Sequence, residues 1–166
     1  MKPFIGNRKY LDTIEMKSEY LILRDNDFKA ATLLEKQGLY NEAIYMYIQT
    51  MEKEIKGYIC GKIDSANPYF SQKLRDIGHS LDKSIEFLIE LLAGNDEILK
   101  KQLTEQIKIG VFQNINFSRL YNDCRYPAYN SRRERYFALC IDKEDCQRIS
   151  KISQQLTQFI HDFDRI

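Results

Sequence analysis

The residues best suited to chemistry are gathered in one stretch, where Arg119, Arg125, Arg132, Arg133 and Arg135 are interleaved with Tyr121, Tyr126 and Tyr129, with Tyr136 just beyond. Only Asp123 and Glu134 oppose the five arginines, so this segment carries +3 within a chain whose net charge is +1, and the remainder sums to −2. Guanidinium forks bind phosphate oxygens two at a time, and tyrosine rings offer flat faces on which bases stack. The mixture suits single-stranded RNA or nucleotide phosphates. The competing reading pairs the arginines with Asp142, Glu144 and Asp145 and packs the tyrosines at the end of a bundle.

A second candidate is His79, four positions after Arg75 and just before Ser80. A histidine at that place can act as acid or base with the arginine as charge stabiliser, or serve simply as a donor beside a helix cap. His161 is expected on the last turn of a helix, where the dipole favours a cation. With two histidines in all, a multi-histidine metal site is excluded, and no cofactor is expected. The acidic pairs Asp25/Asp27 and Asp162/Asp164 have the spacing some enzymes use for Mg²⁺, but as acids near helix ends they are read as solvating and capping groups. No glycine-rich phosphate loop, HExxH or GxSxG motif occurs. Cys60, Cys124, Cys140 and Cys146 form no CxxC pair, so they are expected as buried free thiols in a reducing cytoplasm.

These groups must be positioned by helices. Seven glycines and 3 prolines in 166 residues are about half the usual share and leave little material for the turns of an all-β fold. No apolar run approaches the length of a membrane span, and Met1-Lys2-Pro3-Phe4 does not open a signal peptide. The residues from Met1 to Arg24 form an extension with a weak helical pattern over Asp12 to Leu23, through Ile14, Leu21 and Ile22. From Asn26 the pattern strengthens, with Phe28, Ala31 and Leu34 on one face and Gly38 as a terminator. Ala43, Ile44, Tyr47, Met51, Ile55, Tyr58 and Ile59 then mark a helix from about Tyr40 to Cys60, expected to fold back antiparallel as a hairpin. Asn67-Pro68 and Gly78 are breaks, Ser80 an N-cap, and Gly94-Asn95 the end of the helix that Ser80 starts. Leu99, Leu103, Ile107, Val111 and Ile115 predict one helix reaching about Tyr121. An irregular connection of some twenty residues follows, from Asn122 to Ile141, and Asp142 caps a last helix whose inner face carries Cys146, Ile149, Ile152, Leu156, Phe159, Ile160 and Phe163. The expected fold is all-α: an up-and-down antiparallel bundle of four main helices plus minor ones, occupying residues 25–166 behind an N-terminal extension of residues 1–24.

The stretch from Asp27 to Ala43, with its Gly38-Leu39-Tyr40-Asn41-Glu42-Ala43 turn, continuing through Glu52-Lys53-Glu54-Ile55-Lys56-Gly57-Tyr58-Ile59, resembles the opening hairpin of HEPN domains, the "higher eukaryotes and prokaryotes nucleotide-binding" family. Gly78-His79-Ser80-Leu81 and Arg125-Tyr126-Pro127 are similar to that family in the same order, and the resemblance spans Asn26 to Phe163. It implies a dimeric helical bundle, often paired with a small nucleotidyltransferase in a two-gene toxin–antitoxin or defence system. It also implies, for many members, a metal-independent ribonuclease site using an Arg, four to six intervening residues and a His. Here three residues separate Arg75 from His79, and no arginine precedes His161 at the required distance. Members with Arg-Tyr-Pro in place of that signature look like binding partners. The expectation is therefore a module that binds RNA, nucleotide or a nucleotidyltransferase through Arg119, Arg125, Tyr126, Tyr129, Arg132, Arg133 and Arg135. The alternatives are an endoribonuclease using His79 and Arg75, and a purely structural association bundle.

Overall fold

The computed structural model describes residues 6, 9–11, 13–64 and 66–163. Seven α-helices and one small hairpin occur among them: α1 (Thr13–Lys36), α2 (Tyr40–Lys62), α3 (Pro68–Ile77), α4 (Leu81–Ala93), α5 (Glu97–Thr104), α6 (Phe117–Asp123) and α7 (Lys143–Phe163), with β1 (Ala128–Asn130) pairing antiparallel to β2 (Arg135–Phe137). The fold is all-α.

Helix α1 is continuous through the position where the pattern changes near Asn26, so the two helical segments expected on either side of it are one element. Of the apolar positions expected there, Leu21 packs over Gly57 while Ile22 is exposed. Asp12, and the side chain of Ile14, lie outside the described residues. Asp25 and Asp27 consequently sit inside a helix rather than at its end, and each has a cation: Arg24 for Asp25 and Lys53 for Asp27. Asp162 accepts from Gln158, while Asp164 is outside the described residues.

Gly38, at φ +75, ends α1 as expected. The Leu39 amide reaches back to the Leu34 carbonyl at 3.0 Å, and the chain reverses into α2. The pairings Arg24–Glu54, Asp27–Lys53 and Glu35–Tyr47 then run antiparallel along the two helices. Gly57 and Gly61 let them approach closely, since a Cβ on Gly57 would stand 3.2 Å from that of Tyr20.

Helix α2 is the axis of the core, with Ala43, Ile44, Tyr47, Ile48, Met51, Ile55 and Ile59 almost completely buried. It packs against α1, α7, α4 and α6. Contacts of Asn41 with Leu139 and Ile141 at one end, and of Glu54 with Thr157 further along, show that α7 runs parallel to it. Asp142 caps α7 through the Asp145 amide at 2.8 Å. The expected inner face is buried at Cys146, Ile149, Ile152, Leu156 and Ile160, with Phe159 and Phe163 packed at its edge.

Three elements differ from the periodicity. Pro68 starts a separate helix α3, capped by Asn67, where only a break was visible. The helix expected to run on to Tyr121 stops being α-helical at Thr104 and widens into a π-helix, Glu105–Val111. Leu103, Ile107, Phe112 and Phe117 are the buried residues here, at steps of four, five and five, while Val111 and Ile115 are only half-buried. The wider turn swings Phe112 inward, where it meets Phe117 edge-on at 5.2 Å. Gln113 and Asn114, both at positive φ, break the chain before α6. The connection after Asn122 contains the hairpin of β1 and β2, which the failure of helical periodicity did not reveal.

Candidate functional site

Helix α6 is held against the start of α4 by side-chain hydrogen bonds. The Ser118 amide and hydroxyl both donate to Asp82, at 2.7 and 2.5 Å, and Ser118 and Ser80 hydroxyls lie 3.2 Å apart. This places Tyr121 over α2, its ring centroid 5.1 Å from that of Tyr45. Burial, reinforced by Tyr45, pushes the Tyr121 hydroxyl up to about 12.

Arg125 closes this arrangement. Its guanidinium lies 5.1, 5.0 and 4.8 Å from the ring centroids of Tyr45, Tyr121 and Tyr126, and it donates to the Tyr126 hydroxyl at 2.7 Å. A planar, weakly hydrated cation among three rings gains cation–π attraction on several faces at once. Arg125 therefore ties the chain leaving α6 to α2, and the Arg-Tyr-Pro stretch does structural as well as electrostatic work.

Beyond it the hairpin projects. Ala128, Tyr129 and Asn130 face Phe137, Tyr136 and Arg135 in register. The Asn130 side chain accepts from the amides of Arg132 and Arg133 and shapes the turn, with Glu134 at φ +47. Tyr129 and Tyr136 meet across the strands with their rings tilted at 58° and centroids 5.2 Å apart, and 56% and 71% of their surfaces are exposed. Arg132, Arg133 and Arg135 are exposed, and their guanidinium groups have no ion pair or hydrogen bond with any described residue. The anticipated pairing with Asp142, Glu144 and Asp145 does not occur. Arg119, by contrast, is engaged with Asp123 at 3.2 Å.

The second cluster centres on residues that the sequence did not single out. Glu52 and Lys56 of α2 are both buried, and the lysine donates to the carboxylate at 2.6 Å and to the carbonyl of Gly78. His79 stands over this pair with its Nδ1 3.4 Å from Glu52 Oε1 and most of its ring in solvent. Arg75 points elsewhere: it is exposed and donates to Gln72 at 2.8 Å. The structure thus joins His79 to Glu52 and not to Arg75. Tyr45, Glu52 and Lys56 recur at seven and four residues on one face of α2, so the Arg125 cage and His79 are about 10 Å apart along the same helix face. The recurrence of Tyr45, Glu52 and Lys56 on one face of the helix was the available signal. It was obscured because i,i+4 Glu–Lys pairs are ordinary on exposed helices.

His161 is exposed beside Asp162 on the last turns of α7. Cys60 and Cys146 are buried free thiols and Cys124 is half-buried, but Cys140 is exposed, contrary to the expectation for all four. It lies in the irregular segment before α7. Burial pushes the Cys60, Cys124 and Cys146 thiols up to about 11. No helix among the described residues is long and apolar enough to cross a membrane, and no group of three or more metal-ligating side chains occurs among them.

Neither the curated proteins nor the solved structures contain a match to the chain. The family model described as HEPN domain matches residues 25–163, which takes in the α2 charge cluster, the Gly78-His79-Ser80 turn, the tyrosine cage and the arginine hairpin. The chain belongs to the HEPN domain family.

Proposed function

We propose that this HEPN protein is a binding module for single-stranded RNA, with the β1–β2 hairpin as its contact arm. The observation that carries the reading is the set of three unpaired guanidinium groups at the tip of one hairpin, next to two exposed tyrosines in ring contact. Phosphates meet the arginines and bases meet the rings, which is how sequence-tolerant single-strand binding is achieved. Isolated nucleotides offer the arm the same phosphate chemistry with less area. Fluorescence anisotropy with a labelled oligonucleotide at low salt tests the reading. Binding that weakens tenfold or more in the Arg132→Ala/Arg133→Ala variant is expected, and no binding by the wild-type chain refutes it.

The setting in which such a module works is a cytoplasmic homodimer partnered by a small nucleotidyltransferase in a two-gene toxin–antitoxin or defence system. Family membership supports that setting. Recovery of a nucleotidyltransferase with the protein from its native host is the corresponding test.

A second reading is favoured by one contact. A buried carboxylate near Nδ1 can orient an imidazole, so His79, with its Nδ1 3.4 Å from Glu52, can act as acid or base on the 2′-hydroxyl of RNA. Cleavage of RNA in EDTA, lost in His79→Ala and depressed in Glu52→Gln, is its expected signature; cleavage undiminished in His79→Ala removes it.

A further inference from the structure

The face of α2 opposite Tyr45 and Glu52 meets a carboxylate that has no cation. Helices α1 and α7 both pack on α2 but hardly on each other, and a cleft of about 530 Å³ opens between them, walled by the rings of Phe28, Tyr40 and Tyr47. Glu35 lies in this wall, half-buried, in the last turn of α1. The hydroxyl of Tyr47, a side chain only 1% exposed, donates to it at 2.7 Å and fixes its orientation. Burial first, and the carboxylate after it, raise the Tyr47 hydroxyl, so the phenol remains the donor in this bond. A negative charge at a helix C-terminus faces the negative end of the dipole, and partial burial strips it of water. Neither cost is offset within the protein, because Glu35 forms no ion pair with any described residue. The opposite charge stands at the rim, where Lys36 and Lys143 are exposed and also lack an ion-pair partner among the described residues. Lys143 is the first residue of α7, the end of a helix that favours an anion.

The cleft is therefore dipolar, and its two ends exclude most ligand classes. An apolar molecule would leave Glu35 and both lysines unmatched. A bare anion, phosphate included, would meet Glu35 as a like charge, and a simple amine would meet the lysines in the same way. A zwitterion satisfies both ends, with an ammonium donating to the carboxylate oxygen that Tyr47 leaves free and a carboxylate accepting from the lysines. The ring surface of Phe28 and Tyr40 takes an apolar part, and a second cavity of about 250 Å³ continues past Phe28 towards Thr50 and Gln154 to give it room. We infer that this cleft binds a free α-amino acid with an apolar or aromatic side chain, its ammonium on Glu35 and its carboxylate on Lys36 and Lys143. The site shares no residue with the hairpin arm and stands whether or not the arm binds RNA.

Isothermal titration calorimetry of the full chain with L-phenylalanine, L-leucine, phenylalaninamide, 3-phenylpropionate and AMP tests it. At least one of the two amino acids is expected to bind. Phenylalaninamide, which lacks the carboxylate, and 3-phenylpropionate, which lacks the ammonium, are each expected to bind at least tenfold more weakly than the better amino acid. Glu35→Gln, nearly the same in shape, and Lys36→Ala/Lys143→Ala, at two exposed positions, are each expected to weaken the amino acid about tenfold, or about 1.4 kcal/mol. Glu35→Gln is expected to leave 3-phenylpropionate no weaker than before, since it removes a like charge. Arg132→Ala/Arg133→Ala is expected to change nothing. Failure of both amino acids to bind overturns the inference, and so does equal binding of the amide or of 3-phenylpropionate; these comparisons use the wild-type chain and need no variant to fold. Binding that survives both cleft variants, that is abolished by the arm variant, or that AMP displaces at lower concentration than the amino acid itself overturns it as well. Each of these results leaves the RNA reading to its own test.

Discussion

The arginines of the Arg119–Arg135 stretch are not equivalent, and their surroundings divide the work between them. Arg132, Arg133 and Arg135 keep their guanidinium forks free in solvent, whereas Arg125 spends its charge on three tyrosine rings and a hydroxyl. A phosphate contact and a positioning contact leave different marks on salt dependence, because each phosphate contact to a single strand adds about 0.7 to the slope of log K against log salt. Arg125→Ala is expected to weaken RNA binding by loosening the arm while leaving the slope unchanged, and to speed hydrogen exchange of the amides between Ala128 and Phe137 even without RNA. Arg125→Lys should restore little, since a compact ammonium lacks the planar face that stacks among the rings. A slope that falls in Arg125→Ala would instead make it a phosphate ligand. Cys140 offers a separate check on the same region. As the exposed thiol among the four, it is expected to be alkylated first in the folded protein, with Cys60 and Cys146 protected until unfolding.

At the level of elements, α2 carries both the core and the site, one on each of its faces. Its close approach to α1 depends on Gly57, so Gly57→Ala is expected to push Tyr20 outward and cost about 1–3 kcal/mol in urea denaturation. An unchanged midpoint would mean that α1 is held elsewhere. Met51→Ala, at a fully buried position of the same helix, should cost about 2–5 kcal/mol. Much of this architecture was legible in the sequence. Gly38, Ser80, Gly94 and Asp142 terminate or cap helices through local chemistry that depends on a few neighbouring residues, and the structure places them as expected. The π-helix was not legible, because a search for steps of three and four reads Ile107, Val111 and Ile115 as one stripe, whereas the fold buries Phe112 by widening a single turn. The hairpin was missed for a related reason. Its strands are three residues long and mostly exposed, so they carry no apolar alternation to detect. In the site, the arginine–tyrosine segment was visible from composition, but Glu52 and Tyr45 were not. Their partners, His79 and Arg125, are 27 and 80 positions away in the chain, and only the packing of α4 and α6 on α2 brings them together.

For the molecule as a whole, three buried or half-buried thiols fix the direction of its alkaline response. Burial raises Cys60, Cys124 and Cys146 from the ordinary value of 9.0 to about 11. The unfolded chain therefore gives up these protons first, and their contribution to stability is intact below pH 9 and lost as pH rises towards 11. Thermal melts are expected to show a falling midpoint across that window, partly relieved in Cys60→Ala; a flat profile would mean the thiols are not held in apolar surroundings. The functional account places RNA on the side of α2 that carries the hairpin arm. Its central claim is that the arm binds RNA through free arginines, and the most direct measurement is the salt dependence of anisotropy-detected binding to single-stranded RNA, wild type against Arg132→Ala/Arg133→Ala. The account predicts measurable wild-type binding and a slope reduced by about 1.4 on removal of two phosphate contacts. An identical slope and affinity in the two proteins would contradict it.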